Sequence, residues 1–583
     1  MKTVMSRGMA LAALALALSC AGCNDDSAGD ASSSSQASQL PQLTAATGMN
    51  LAAACESFAG KLSFANTSIT AVSTVAAGTL TVGGNAIPEH CLITGTMNTR
   101  VSPVDGKTYA IGFQMRLPKT WNGRVFYQAN GGLDGSVLTA LGALGGGPVS
   151  SALGSGFAVI SSDAGHNGSQ IPLFGLDPQA RQDYGYNAVA TLTPMAKSMI
   201  AQVYGKAPDR SYFGGCSNGG RHAMVAAARS ANAYDGIVAG DPGFHLPKAA
   251  INEVYSAQQL ATVATANTSA GFPDITTALS ATERAMVASH VLAKCDALDG
   301  TTDGMINNLK ACQAAFSLAN DVPTCTGARD GTCLTTAQKT VMANLFAGAH
   351  NSAGQALYSG FPFDAGISGS NWAAWKQGNS IQLDPAALAF VFTTTPQPAS
   401  AITTLTAYGL AFNMDTDAPK IFATDATYTE SAWSFMTPPN ETNLSTLKAR
   451  GAKLMVYHGT SDPVFSSDDT TDWYQRLAAA NGGDASNFAR FYPVPGMNHC
   501  SGGPTADQFD MLTPLVAWVE KGVAPDSVVA TARGPANAVP NAEVPSDWNA
   551  AGHDRTRPLC AYPKNARYTG SGNINDASSF SCQ

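Results

Sequence analysis

One serine lies between two pairs of glycines, in the stretch FGGCSNGGRHAM that runs from Phe213 to Met224. The five residues Gly215–Gly219 fit the pattern G-x-S-x-G. In that pattern small flanking residues allow a strained turn between a strand and a helix, which exposes the serine Oγ. A predicted strand, Tyr212–Gly214, precedes the serine and a predicted helix, Gly219–Ser230, follows it. We therefore predict that Ser217 is a nucleophile rather than part of an ordinary glycine-rich turn.

Such a serine needs an acid and a base, because its hydroxyl is a weak nucleophile until a histidine takes the proton and a carboxylate orients the histidine. Where the serine occupies this kind of turn, the acid and then the histidine follow it along the chain. Asp462, in YHGTSDPVF, comes just after a predicted strand, Lys453–Tyr457, where a loop projects at the carboxyl edge of a parallel sheet. Asp468 and Asp469 are alternatives, although acidic residues there are also typical of a solvated helix start. We predict Asp462 as the acid.

Two of the nine histidines follow this acid, and their settings differ. His499 lies in the loop PVPGMNHCSGGP, after a predicted strand, Ala489–Tyr492. His553 lies in a charged, loop-like tail. Order and setting predict His499 as the base. The three residues together imply acyl transfer, in which the serine attacks an ester carbonyl and water then hydrolyses the acyl-enzyme.

Cysteines flank two of these residues, since Cys216 precedes the serine and Cys500 follows the histidine. A disulfide between them would tie the turn of the nucleophile to the loop of the base, and the alternative is a buried free cysteine. Beyond the first 23 residues the chain has ten cysteines and no Cys-x-x-Cys pair. In an exported chain this even number indicates five disulfides. Sequence does not fix their connectivity, although Cys325 and Cys333 are natural local partners.

The elements that must position these residues alternate between short apolar runs and helical stretches. The predicted strands are Val125–Gln128, Phe157–Ser161, Tyr212–Gly214 and Ile237–Ala239, and the predicted helices are Tyr186–Tyr204 and Gly219–Ser230. Such alternation predicts a parallel α/β sheet. The pattern resumes at Lys453 and ends with a helical stretch, Gln508–Lys521. We expect residues 243–440, rich in turns and aromatic side chains, to form an inserted lid, and residues 44–242 and 441–583 to form the catalytic domain.

The N-terminus predicts export. Lys2 and Arg7 precede an apolar run, Met9–Leu18, which has the length of a secretory signal but is too short to span a bilayer. We expect residues 1–23 to be a signal peptide and residues 24–43 a disordered tether. Because the run ends at Cys20 and Cys23, lipid acylation and plain signal cleavage are both open. The expected location is the periplasm or the cell exterior, with anchoring in the outer membrane if a lipid is attached.

The amino-acid composition limits the classes of molecule that the protein is expected to bind. The net charge is −8, only 13% of residues are charged, and lysine and arginine are not clustered, which argues against nucleic acid. A small neutral or apolar molecule fits better. The sequence indicates no obligate protein partner, and it indicates membrane attachment only through an N-terminal lipid.

One acidic loop, CDALDGTTDGMINN, places Asp296, Asp299 and Asp303 within eight residues. Crowded carboxylates repel one another unless a cation neutralises them, and ligands that are all oxygen select a hard ion such as Ca²⁺ over zinc. The spacing is not that of an EF-hand. From the residues alone, a calcium site and a solvated acidic turn are both open.

Several of these stretches together resemble a known family. GCSNGG, HGTSDPVF and PGMNHCSGG resemble the tannase and feruloyl esterase family of exported hydrolases, and FGLDPQARQDYGYNAV, YDGIVAGDPGFHLPKA and RPLCAYP resemble its branch of terephthalate monoester hydrolases. The likeness runs from about Cys55 to Cys582, and it implies an α/β-hydrolase fold with a large lid inserted after the nucleophile. It also implies an oxyanion hole at the backbone N–H groups of Gly132 and Asn218. The disulfides that it implies are Cys55–Cys91, Cys216–Cys500, Cys295–Cys312, Cys325–Cys333 and Cys560–Cys582.

The resemblance further implies a structural calcium ion in the acidic loop. The ligands of the family would fall on the side chains of Asp296, Asp299 and Asp303 and on the backbone carbonyls of Thr301 and Met305.

The aromatic-rich lid suggests that the substrate is a small ester of an aromatic acid. His458 and Phe465 match substrate-side positions of the family, and we predict them, together with Trp372, as substrate contacts. The aromatic lid residues that could stack on the acyl group, or form the lid core instead, are Trp372, Trp375, Phe390 and Phe392.

The lid departs from the family at one point. Terephthalate monoester hydrolases bind the free carboxylate of the substrate through a lid arginine, whereas this chain has no arginine between Asp330 and Ala449. Lys376 could replace it only as a point charge, without bidentate geometry. The lid therefore favours an aromatic esterase that is less selective for charge. A calcium-stabilised, non-catalytic binding protein on a hydrolase fold is the alternative from another class, and the intact triad argues against it.

Overall fold

The computed structural model describes residues 49–50, 54–549 and 552–583, so the predicted signal peptide and tether lie outside the described residues. Its central element is a nine-stranded sheet. The strands, numbered along the chain, are β1 (Thr67–Val75), β2 (His90–Val101), β3 (Thr108–Pro118), β4 (Arg124–Gln128), β5 (Ala158–Ser162), β6 (Arg210–Cys216), β7 (Gly236–Gly240), β8 (Lys453–Gly459) and β9 (Ala489–Val494). Across the sheet they follow the order β9-β8-β7-β6-β4-β5-β3-β2-β1.

The strands from β4 to β9 are mutually parallel. By contrast, β1, β2 and β3 pair in antiparallel fashion. Every residue of β5 and β7 is buried, which explains their continuous apolar runs, because a parallel sheet is covered on both faces. The predicted parallel α/β sheet is confirmed, and the three antiparallel strands extend it.

Helices connect the parallel strands. One α-helix, Ala188–Tyr204, precedes β6, and another, Asn218–Arg229, follows it directly after Ser217. The other α-helices are Pro178–Gln182, Leu246–Ala261, Ala281–Cys295, Leu309–Ala315, Leu318–Asp321, Thr336–Ala347, Ser370–Ala374, Ser380–Gln382, Asp384–Ala387, Leu405–Ala411, Ala432–Met436, Ser445–Ala449, Ser467–Ala480 and Leu512–Lys521. Short π-helical turns are Asp183–Asn187, Trp375–Asn379 and Leu388–Phe392. Strands outside the central sheet are Met49–Asn50, Thr81–Val82, Asn85–Ala86, Thr120–Trp121, Gln508–Phe509, Ser527–Thr531, Thr556–Cys560, Ala566–Tyr568 and Phe580–Cys582.

A long segment, residues 241–452, is inserted between β7 and β8 and consists of helices, turns and isolated β-bridges. Its apolar side chains, among them Leu260, Leu388 and Phe390, belong to the same buried cluster as Ile160 and Phe213 of the sheet. A largely parallel sheet with such an insertion is the α/β-hydrolase fold that the sequence predicts. The lid boundaries at residues 243 and 440 stay a prediction, because the inserted segment and the sheet share one core.

Five disulfides join cysteines of the described residues, in the pairs that the resemblance implies. They are Cys55–Cys91, Cys216–Cys500, Cys295–Cys312, Cys325–Cys333 and Cys560–Cys582. The bond Cys216–Cys500 joins residues 284 positions apart, so it links the two halves of the sheet across the insertion. Within the part of the chain that the structure describes, no helix has the length and apolar character needed to cross a membrane.

Candidate active site

Ser217 occupies the tight turn between β6 and the helix that follows. Its φ and ψ are 66° and −128°, a positive-φ conformation that a residue with a Cβ adopts only at a cost. Gly215 and Gly219 let the turn close, since a Cβ on either would meet the carbonyl oxygen of Ala129 at 2.5 and 2.6 Å. The Ser217 N–H donates to the Gly240 carbonyl at 3.0 Å. This is the strained strand-to-helix turn that the sequence pattern predicts.

Three side chains from three loops meet at this turn. His499 Nε2 lies 2.8 Å from Ser217 Oγ, and His499 Nδ1 lies 2.7 Å from Asp462 Oδ2. The acid and the histidine are buried, whereas the serine is partly exposed. The disulfide Cys216–Cys500 joins the residue before the serine to the residue after the histidine. In this geometry His499 can take the hydroxyl proton while Asp462 stabilises the imidazolium.

Asp462 has the environment of an ionised acid. Its Oδ1 accepts the backbone N–H groups of Val464 and Phe465 at 2.9 and 3.0 Å. Burial alone would raise the pKa of Asp462, but His499 and His458 hold it below its ordinary value. The carboxylate therefore keeps its charge at neutral pH and favours the histidine tautomer that carries the proton on Nδ1.

The residues considered as alternatives have other contacts. Asp469 pairs with His245 at 2.9 Å. Burial would lower the pKa of His245, but Asp469 and Glu441 raise it to about 9. Asp468 lies in the first turn of a helix, and His553 is exposed. The structure therefore brings Asp462, and not these aspartates, into a hydrogen bond with the base.

Gly132 and Asn218, predicted as the oxyanion hole, lie beside the serine, Gly132 in the loop after β4 and Asn218 at the start of the helix that follows Ser217. The hydroxyl of Tyr184 donates to the Gly132 carbonyl at 3.1 Å, and the Asn218 side chain donates to Asp134 at 2.8 Å. Asn218 begins its helix, so its N–H has no acceptor within that helix. A Cβ on Gly131 would lie 3.7 Å from the serine Cβ, which shows how closely the loop approaches. The role of these N–H groups stays a prediction.

Two aromatic rings pack edge-on against the base. The ring centroids of Trp375 and Phe465 lie 5.0 and 5.1 Å from that of His499. Trp375 is partly exposed, whereas Phe465 is buried. Trp372, the tryptophan predicted as a contact, is 3% exposed and lines a cavity of about 10 Å³ beside Lys376. The structure thus places Trp375 rather than Trp372 at the rim of the site, and only the packing of the inserted segment decides between them.

The other predicted aromatic contacts are closed to solvent. His458 has no exposed surface; its Nδ1 lies 2.8 Å from Thr470 Oγ1 and its Nε2 lies 3.0 Å from a backbone carbonyl. The same ring is 3.3 Å from Asp462 Oδ2, so it lies against the acid, and its role as a substrate contact stays a prediction. Phe390 and Phe392, two of the lid rings considered for stacking, are also buried.

Lys376, the cation considered for a substrate carboxylate, is 2% exposed and pairs with Glu253. Its Nζ also lies 3.4 Å from Ser256 Oγ and 4.4 Å from the centroid of the Phe361 ring. Asp384 is buried close by, and burial together with the charge of Glu253 raises the pKa of Asp384 well above its ordinary value. Lys376 therefore neutralises carboxylates of the inserted segment itself.

The three aspartates of the acidic loop are buried, which is not the setting of a solvated turn, although other residues of the loop are exposed. Its carboxylates are 7%, 3% and 7% exposed, in the order Asp296, Asp299 and Asp303. Thr301 and Met305 donate backbone N–H groups to Asp299 and Asp303, and Arg557 pairs with Asp303. Burial raises the pKa of Asp299 to about 6. Among the described residues, groups of three His, Cys, Asp or Glu side chains whose ligand atoms lie within 4.8 Å of one another occur at the triad. The three carboxylates of the acidic loop do not lie that close together.

A serine on a positive-φ turn, with its histidine and acid at the carboxyl edge of this sheet, defines a serine hydrolase with the α/β-hydrolase fold. The model of the family described as tannase and feruloyl esterase matches residues 91–583. The chain therefore belongs to the tannase and feruloyl esterase family, and it is a carboxylic ester hydrolase.

Several similar proteins share most of the length of the chain. It is 41% identical to mono(2-hydroxyethyl) terephthalate hydrolase of Piscinibacter sakaiensis over 536 residues, which cover 86% of each chain. It is 27% identical to a probable feruloyl esterase B-2 of Aspergillus fumigatus, over 94% of this chain and 99% of the other. The solved structure of feruloyl esterase B from Aspergillus oryzae matches with a TM-score of 0.70 at 24% identity, over 91% of this chain and 99% of that one. That likeness shows the fold.

Proposed function

We propose that the protein hydrolyses esters of aromatic carboxylic acids, with Ser217 as nucleophile, His499 as base and Asp462 as acid. The observation that carries this proposal is the chain of contacts from Asp462 through His499 to Ser217, at 2.7 and 2.8 Å. The names of the relatives support an aromatic acid, since they include a terephthalate monoester hydrolase and feruloyl esterases. A non-catalytic binding protein is not favoured, because it would have no need of three triad residues in contact.

In the proposed mechanism Ser217 Oγ attacks the ester carbonyl while His499 Nε2 takes its proton. The backbone N–H groups of Gly132 and Asn218 stabilise the oxyanion that forms. His499 then donates the proton to the leaving alcohol, and the acyl-enzyme remains. A water molecule, deprotonated by His499, releases the aromatic acid. Asp462 holds the imidazolium in place throughout.

The substrate class follows from the side chains beside the base. Trp375 and Phe465 would flank an aromatic acyl group, and Lys376 is already paired with Glu253. A free substrate carboxylate would therefore lack a cation from this part of the lid. We assign the enzyme to neutral aromatic esters at least as much as to carboxylate-bearing monoesters.

A panel of feruloyl, galloyl and terephthaloyl esters tests the proposal, with kcat/KM measured for each on the purified protein. The same panel is run on Ser217→Ala, which should lose several orders of magnitude in kcat with an unchanged melting curve, because the serine contributes chemistry rather than packing. Residual turnover within about tenfold of wild type would remove this serine as nucleophile.

We further propose that residues 296–305 bind a structural Ca²⁺ ion, through the carboxylates of Asp296, Asp299 and Asp303 and the carbonyls of Thr301 and Met305. Three buried acids with oxygen donors only and one paired arginine support this assignment. The ion would neutralise charge and take no part in the reaction. Chelation should lower the melting temperature, and Ca²⁺ should restore it better than Mg²⁺. Superimposable melting curves with and without chelator would count against the site.

We also propose that the protein is exported to the periplasm or the cell exterior, which the five disulfides support. Mass spectrometry of the mature N-terminus distinguishes acylation at Cys20 or Cys23 from plain cleavage, since a diacylglyceryl cysteine adds a large mass.

A further inference from the structure

A second buried carboxyl group lies against the triad, and the proposed mechanism does not use it. Asp241 follows β7 as Asp462 follows β8, and these two parallel strands are neighbours. Asp241 has no exposed surface. One carboxylate oxygen of Asp241, one of Asp462 and a ring nitrogen of His499 all lie within 4.8 Å of one another. Two acids therefore face one base.

The two oxygens of Asp241 have different surroundings. Oδ1 accepts the N–H of Gly459, the last residue of β8, at 2.9 Å, so it fixes the start of the loop that carries the catalytic acid. Oδ2 faces Sγ of Cys216 at 3.5 Å, and a disulfide sulfur has no proton to donate. The backbone of Asp241 is also strained, with φ at 38°, which persists only where the surroundings impose it.

We propose that Asp241 is a positioning residue of the triad. It holds the acid-bearing loop through Gly459, and its carboxylate, once ionised, places a second negative charge beside His499. This inference rests on the proposed function, because it takes His499 as the base.

The charge of Asp241 is set by the groups that face it. Burial raises the pKa of Asp241 to about 7, Asp462 adds to the rise, and His458 and His499 oppose it. The other groups at this carboxyl are the Tyr457 side chain and the disulfide. Well below pH 7 Asp241 is mainly protonated, and Asp462 is the ionised carboxylate beside the base. Above pH 7 the base faces two ionised carboxylates, which favours the imidazolium that forms in the transition state.

Asp241→Asn tests this inference, because asparagine keeps an oxygen for Gly459 but cannot ionise. The ratio of wild-type to variant kcat/KM should be near one at pH 6 and rise to roughly tenfold at pH 9, a fraction of the full Coulomb effect at this separation. Asp235→Asn is the matched control, since Asp235 lies directly before β7, and its ratio should not change with pH. A ratio for Asp241→Asn that is constant across pH would overturn the inference, because a purely structural role predicts that result.

Two further variants keep the outcome decisive. If Asp241→Asn does not fold, Asp241→Ser, which is smaller and equally unable to ionise, is compared in the same way; failure of both to fold would refute the charge role. Ser217→Ala is measured in parallel. Activity retained by Ser217→Ala would remove the proposed function itself, whereas an inactive Ser217→Ala with a flat Asp241→Asn ratio would remove only this inference.

Discussion

The triad and the Lys376–Glu253 ion pair of the inserted segment both contain a basic side chain and a buried carboxylate, yet only the triad is arranged for chemistry. In both a basic side chain meets a buried carboxylate: His499 meets Asp462, and Lys376 meets Glu253. The contacts of the triad end at Ser217, which is partly exposed on a strained turn. The contacts of Lys376 end at further buried side chains. Burial and pairing alone therefore do not mark a catalytic group; the contacts must also reach an atom that substrate can approach.

The largest expected effect that tests this contrast is the loss of the catalytic acid. Asp462→Asn should lower kcat by about 10⁴-fold, because the amide favours the wrong tautomer of His499, and the fold should persist. Asp469→Asn is the matched control, since Asp469 pairs with His245 outside the triad, and its kcat should stay within about threefold of wild type, because the base keeps its partner. Steady-state kinetics with one aromatic ester compares the two. A loss below tenfold in Asp462→Asn would assign the acid to another residue.

The contrast also explains which features the sequence could predict. Ser217, Asp462 and His499 each lie in a short loop directly after an apolar strand, so local pattern and chain order were enough. The choice between Trp372 and Trp375 depends on how the inserted segment packs, which no local pattern records. His458 was matched by likeness alone, and its burial behind the acid depends on the three-dimensional packing around Asp462.

The antiparallel strands β1 to β3 were not predicted, because their period-two pattern is weak. In β1 no residue is buried, and its half-buried and exposed positions do not alternate cleanly; β2 is buried at alternate positions only from Cys91 to Met97. Asp241 lies within a stretch that resembles the family, but nothing in its neighbours shows that β7 ends beside the acid loop.

Removal of the positive charge of Lys376 is expected to give the second-largest effect, on stability rather than on activity. Lys376→Met leaves Glu253 buried without its partner, which should cost about 3–5 kcal/mol of unfolding free energy at alkaline pH, where Glu253 would otherwise be ionised. The double variant Lys376→Met/Glu253→Gln should recover most of that loss, because neither buried residue is then charged. Urea unfolding measures both, and kcat/KM for a neutral ester should stay within about threefold, since Lys376 is outside the triad. A loss of activity like that of Asp462→Asn at unchanged stability would erase the contrast between the two regions.

The two regions should also respond to pH in opposite directions. Burial raises the pKa of Glu253 from 4.5 to about 7, although Lys376 opposes the rise, so the contribution of Glu253 to stability is complete below pH 4.5 and is lost as pH rises through 7. The pKa of Asp462 is lowered, so its contribution is present at neutral pH and is lost in acid. Glu253→Gln should therefore flatten the fall in unfolding free energy between pH 5 and pH 7.5. A wild-type protein whose stability does not change across that window would contradict this assignment.

The smallest expected effect concerns the charge of the substrate, and it tests whether the Lys376 pair is as closed as its contacts indicate. A substrate carboxylate that loses a charge-assisted bidentate partner gives up about 2–5 kcal/mol of binding, which corresponds to tens to thousands of fold. Because Lys376 is occupied by Glu253, a neutral ester of terephthalate and the carboxylate-bearing monoester should differ little, with the neutral ester at least as efficient in kcat/KM. That ratio reports transition-state discrimination directly. A strong preference for the monoester would mean that a cation does reach the site; if Lys376→Met then abolished the preference, the lid pair would be functional, and if it did not, the cation would come from outside the inserted segment.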